Sequence, residues 1–135
     1  NILNNGTKFE EYRKWVDEEL VIIAQIEHID AVNNIDDILQ VRGIDGIIIG
    51  PYDLSSSLGY PGEFERDEVK KAIQKVLKQS KEHNIPSGFH VVDTDPAKLQ
   101  IKINLGCTFL AYGIDYFFLR DAAMHGMSKI KEGLK

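Results

Sequence analysis

Four short apolar runs, separated by amphipathic stretches, constrain this chain more than any other feature. The runs are Leu20 to Ile26, Gly46 to Ile49, Ser87 to Val91 and Cys107 to Tyr112. The first two are nearly continuous in Val and Ile. That pattern suits parallel strands buried on both faces by crossover helices, whereas strands with one wet face would alternate. Between the runs, Ala31 to Val41 sets Val32, Ile35, Ile38 and Leu39 on one side of a helix, and Asp67 to His83 does the same with Val69, Ile73, Val76 and Leu77. A third helix is predicted from Asp95-Pro96, an N-cap followed by the residue best tolerated at the first helical position, to Gly106. The last runs from about Tyr116 toward the C-terminus, with Gly126 as a weak point. Ahead of the first run, Phe9, Tyr12, Trp15 and Val16 recur at near-helical spacing. The reading is α/β, a helix followed by about four parallel βα units, in a single domain over residues 1–135 with no low-complexity linker.

Four consecutive βα units make half of a (β/α)8 barrel, and they also make a small open doubly wound sheet; periodicity does not choose between them. At 135 residues the chain suffices for one apolar core. A whole barrel typically takes ~250 residues. Because the chain opens with Asn1 inside a helical pattern, a preceding segment is expected. No GxGxxG or GxxxxGK[ST] pattern follows any run, so nucleotide binding has no positive support.

The formal charge is −5 with both signs interspersed, which provides no basic stripe for a phosphate backbone. Nucleic acid is not an expected partner. No run approaches the ~18 apolar residues of a membrane span, so no membrane association is expected. The single Cys107 has no internal disulfide partner and lies in an apolar stretch, where a free thiol acts as a small buried hydrophobe. A reducing cytoplasm fits that composition.

In both parallel architectures ligands collect at the carboxyl ends of strands. The residues found there are Gln25-Ile26-Glu27-His28, Gly50-Pro51-Tyr52-Asp53-Leu54-Ser55, Gly88-Phe89-His90 and Tyr112-Gly113-Ile114-Asp115. Glu27 and Asp53 follow successive strands and can converge. One or two carboxylates, with water and substrate oxygens completing the shell, are a common way to hold a hard divalent cation. The plainer alternative is that Glu27 starts the next turn and Asp53 caps a loop.

Gln25-Ile26-Glu27, together with the block from Gly43-Ile44-Asp45-Gly46 through Gly50-Pro51-Tyr52-Asp53-Leu54-Ser55 to Gly59-Tyr60-Pro61-Gly62, resembles the HpcH/HpaI aldolase family. Those enzymes are class II pyruvate aldolases, among them the hydroxy-oxo-heptanedioate and 2-dehydro-3-deoxyglucarate aldolases. The block is long and fixed in its internal order, and looser matches at Gly88 and at Tyr112-Gly113-Ile114-Asp115 extend the similarity over nearly the whole chain. The resemblance implies the C-terminal half of a (β/α)8 TIM barrel. It implies a metal site at Glu27 and Asp53, loaded with Mg2+ or Mn2+ and with Co2+ as a further choice. It also implies a substrate site at Gln25 and at the backbone N–H groups of Tyr52 and Asp53, which receive the carboxylate of pyruvate. The reaction implied is reversible cleavage of a 4-hydroxy-2-oxo acid to pyruvate and an aldehyde, through a metal-stabilised enolate, in a homo-oligomer whose C-terminal helices pack across subunits.

The proton-transferring His and enolate-stabilising Arg of that family lie in the first half of its barrel, so no catalytic side chain is assigned here and the fragment alone is expected to be inactive. His28 and His90, near strand ends, are better read as neighbours of the site than as replacements, and His83 and His125 as solvated helix residues. Asp115 reads first as a helix N-cap. The bulk of Tyr52 fits either a shaper of the pocket or a packing residue. Two other readings stand beside the aldolase. One is an acyl-CoA-linked lyase of the citrate lyase β-chain type, against which the Gly50 to Ser55 turn speaks; the other is a non-catalytic, metabolite-binding half-barrel.

Overall fold

A computed structural model describes residues 8–134. The elements are α1 (Phe9–Glu19), β1 (Ile23–Ile26), α2 (Ile29–Asn33), α3 (Ile35–Leu39), β2 (Gly46–Ile49), α4 (Pro51–Ser57), α5 (Asp67–Glu82), β3 (Ser87–Val91), α6 (Pro96–Asn104), β4 (Phe109–Tyr112) and α7 (Asp115–Gly133). All strands are parallel and lie in the order β1-β2-β3-β4, so each strand pairs with the next in sequence. β1 and β4 are the outer strands.

The two faces of the sheet differ sharply. Side chains two residues apart share a face of a strand. Ile26, Ile47, Ile49 and Phe89 point to one side, where they form a single buried cluster with Val32, Ile35 and Leu39 from α2 and α3, Leu54 from α4, and Val69, Ile73 and Val76 from α5. The alternate residues Ile23, Gln25, Ile48, His90 and Phe109 occupy the other face, and none of them is fully buried. On that face the Phe109 ring lies across two glycines. A Cβ on Gly88 would stand 2.2 Å from its Cζ, and one on Gly46 would stand 3.4 Å from its Cε1 and 3.0 Å from the Cδ1 of Ile23.

Several elements depart from the sequence expectation. The first strand is shorter than Leu20 to Ile26: Leu20 caps α1 and Val21 and Ile22 are exposed, while Ile22 is held by its N–H to Asp45 Oδ2 at 2.7 Å. The helix expected from Ala31 to Val41 is two short helices broken at Asn34, whose backbone N–H and side-chain amide both donate to the Asp30 carbonyl, at 3.0 and 2.9 Å. Asp95 caps α6 as expected, its Oδ1 accepting from Ala97 N at 2.9 Å. The helix stops before Gly106, at φ 93°, a conformation that favours glycine. β4 starts at Phe109 and not at Cys107, which is buried on the helix side. α7 passes through Gly126 without a break, and its N-cap is Ile114. Asp115 is the first helical residue and bonds the N–H of Tyr116 at 2.7 Å, so it assists the helix start without being the cap.

Candidate functional site

The site is assembled where β1 and β2 end. Because Ile26 pairs with Ile49, Glu27 and Gly50 are the next residues of adjacent parallel strands. Glu27 and Gln25 are two apart and share the open face of the sheet. Gln25 Nε2 donates to Glu27 Oε2 at 2.5 Å, a charge-assisted bond that fixes the carboxylate. Gly50 makes room for both: a Cβ there would stand 2.9 Å from Glu27 Cβ, 3.1 Å from Glu27 Oε2 and 3.0 Å from Gln25 Nε2. The strand end is closed by Gly50 N donating to Ile26 O at 3.1 Å.

From Gly50 the chain enters α4, a short helix where only a turn was expected. Pro51 at its first position supplies a φ suited to a helix start. Asp53 sits in the first turn, exposed, and among the described residues its carboxylate accepts no hydrogen bond. The N–H groups of Tyr52 and Asp53 belong to the set that a helix start leaves without intrahelical acceptors. Serines fasten the rest of the turn. Ser55 is fully buried, donates to the Tyr52 carbonyl at 2.8 Å and accepts from Gly62 N at 2.9 Å. Ser57 Oγ accepts from Ile29 N at 3.0 Å, which ties α4 to the segment after Glu27. Tyr52 packs edge-on against Phe64 with centroids 4.7 Å apart, and remains exposed.

The structure thus brings Gln25, Glu27, Tyr52 and Asp53 to one end of the sheet. Gly50 is the residue that sequence reasoning passed over, although it stands inside the block that was read. The histidines have other duties. His28 caps α2, its Nδ1 accepting from Asp30 N at 3.2 Å. His90 Nε2 lies 3.2 Å from the Gly113 carbonyl. His83, expected to be solvated, is partly buried and pairs with Asp36 Oδ1 at 3.3 Å, so it joins the end of α5 to α3. His125 is exposed on α7. Among the described residues no group of three or more His, Cys, Asp or Glu side chains gathers as a metal site, so a cation here would rest on the pair Glu27 and Asp53 with water and substrate.

Residues 5–122 match the family described as HpcH/HpaI aldolase/citrate lyase. The chain belongs to that family. It is 36% identical over 126 residues to 2-keto-3-deoxy-L-rhamnonate aldolase of Escherichia coli strain K12, an alignment covering 93% of this chain and 46% of the relative. An HpcH/HpaI aldolase from Desulfitobacterium hafniense superposes with a TM-score of 0.76 at 36% identity, over 90% of this chain and 48% of that one. A HpcH/HpaI aldolase/citrate lyase family protein from Burkholderia cenocepacia gives 0.82 at 22% identity, over 94% and 50%, and so supports the fold. The chain spans about half the length of the curated relatives it matches. The four βα units are therefore half of an HpcH/HpaI barrel, and the open sheet face is the barrel interior. Among the described residues no helix is long and apolar enough to cross a membrane.

Proposed function

We propose that this chain supplies the metal-holding and pyruvate-holding half of a divalent-metal-dependent aldolase, which in its complete barrel reversibly cleaves a 4-hydroxy-2-oxo acid to pyruvate and an aldehyde. Family membership supports the lyase class. The observation that carries the finer reading is the packing at Gly50, where a missing Cβ lets the end of β2 close on a carboxylate oriented by Gln25.

The donor set fits a hard cation. Glu27 and Asp53 offer carboxylate oxygens, neither is sequestered by an ion pair among the described residues, and the open face leaves space for water and substrate. Mg2+ or Mn2+ is the expected ion, with Co2+ a further candidate. Such an ion would withdraw charge from a 2-oxo acid and make the protons beside its carbonyl acidic. The chain's own residues do the rest of the binding. Gln25 holds Glu27 in position, and the N–H groups of Tyr52 and Asp53 receive the substrate carboxylate.

In the cleavage direction the C3–C4 bond breaks, the C4 hydroxyl loses its proton as the aldehyde forms, and the electron pair left on C3 takes up a proton to become the pyruvate methyl group. 2-Keto-3-deoxy sugar acids, the class named in the Escherichia coli relative, are 4-hydroxy-2-oxo acids and can undergo this step. The His that moves the proton and the Arg that stabilises the enolate oxygen are assigned to the other half of the barrel. Exposed Leu119, Met124, Met127 and Ile130 on α7 support a homo-oligomer of the complete protein.

The test is exchange of the pyruvate methyl protons in heavy water, followed by proton NMR. A barrel completed with a relative's first half should exchange them only with divalent metal present, and Glu27→Ala or Asp53→Ala should abolish the exchange. A folded, metal-loaded, completed barrel that leaves the methyl protons untouched would sink the aldolase reading.

A further inference from the structure

A groove of about 840 Å3 lies between α5, α6 and the end of β3, and is bordered by the first turns of α4 and α7. That is within the ~300–1,000 Å3 range of small-molecule sites. Its apolar wall includes Ile73, Leu77, Phe89, Ile101 and Leu105. Ile101 and Leu105 are exposed, whereas Phe89 is buried.

The charges around the groove are almost balanced. Lys70 is 2.8 Å from Glu65, Lys98 is bonded to Asp93, and Arg120 is 2.7 Å from Asp121. Lys102 is the exception. Its Nζ sits over the Phe89 ring, 4.1 Å from the centroid, and among the described residues it forms no ion pair. Glu65 acts on it only from a distance and is already held by Lys70. Burial pushes the Lys102 amine below its ordinary pKa, the cost of a partly desolvated ammonium that lacks a counter-ion. A cation against an aromatic face gains from the ring, and gains more when an anion completes its shell.

We propose that this groove binds a small monoanionic amphiphile, a free carboxylate with an aliphatic tail, with the carboxylate on Lys102 and the tail along Phe89, Ile101 and Leu105. One uncompensated cation selects a single negative charge over a phosphate dianion. The apolar wall selects a tail over a compact anion such as pyruvate. The groove borders the candidate substrate turn at Pro51 and Tyr52, while Lys102, Phe89, Ile101 and Leu105, which would hold this ligand, lie outside that turn.

Decanoate is the probe, titrated into the full chain by calorimetry and mapped by amide chemical shifts. Decanoate should bind at least tenfold more tightly than decanol, Lys102→Gln should lose that preference, and Lys102→Arg should keep it. EDTA should leave the affinity unchanged, which separates this groove from the candidate metal site. A decanoate carrying a diazirine should label the peptide containing residues 96–105, a readout that stands even if Lys102→Gln fails to fold. Equal binding of decanol, unaltered affinity in folded Lys102→Gln, labelling elsewhere, or a second copy of the chain that covers the groove and blocks decanoate would each overturn the proposal.

Discussion

Gly50 and Glu27 occupy one space: a Cβ at residue 50 would stand 2.9 Å from the Glu27 Cβ, closer than real Cβ atoms approach. Gly50→Ala should therefore turn the Glu27 carboxylate away from Gln25. Overpacking of this kind costs ~1–3 kcal/mol. The expected outcome is Mn2+ affinity, measured by electron paramagnetic resonance, reduced by about tenfold or more, matching ~1.4 kcal/mol per decade. Retention of wild-type affinity in folded Gly50→Ala would show that Glu27 does not hold the ion.

Gly88 and Phe109 form a second such pair on the inner face of the sheet, with a far tighter fit. Gly88→Ala should destabilise the barrel by ~1–3 kcal/mol through displacement of the ring. Adding Phe109→Leu should recover part of that loss. Urea unfolding of the four proteins in this double-mutant cycle measures the coupling, and strictly additive losses would contradict the contact.

Cys107 is buried on the helix side, and burial raises its thiol pKa, opposed by the nearby Lys102 charge. A thiol whose folded pKa is raised contributes stability that is fully present below its unfolded pKa and is lost as pH rises through the folded one. Iodoacetamide should accordingly react with the folded protein only at pH values above the ordinary thiol range, and with the urea-unfolded protein within it. Lys102→Met should push the thiol higher still. Equal rates for folded and unfolded protein would refute this.

The chain by itself should self-associate. β1 and β4 are outer strands, and the inner face leaves Ile23 and Phe109 without full cover. Unpaired strand edges and apolar patches of that kind recruit partners. Sedimentation velocity should show species larger than a monomer; a monodisperse monomer with cooperative unfolding would contradict the expectation.

The parallel order of the strands was legible because their Val and Ile runs need cover on both faces, and the end of β1 announced itself through Gln25 and Glu27. The helix break at Asn34 was not legible. Its residue spacing continues the apolar stripe from Val32 to Leu39, and the second bond that the Asn34 side chain makes to the Asp30 carbonyl leaves no trace in that spacing. The helical state of Pro51–Ser57 was missed for a related reason. Its serines favour turns in isolation, and here Ser55 and Ser57 spend their hydroxyls on contacts with Gly62 and Ile29 from outside the helix. His83 looked solvated because helical periodicity on α5 says nothing about Asp36, which approaches it from α3.

Phe109 comes from the last strand yet fills space above β3 and reaches β2. On a ribosome, where chains emerge at ~5–20 residues per second, the bare strip over Gly46 and Gly88 must wait until residue 109 has left the exit tunnel. The first three strands can pair before then, but their inner surface lacks its lid. A chain stopped between Val91 and Thr108 would hold a paired sheet whose apolar strip faces water with no ring to close it, a ready substrate for a holdase chaperone.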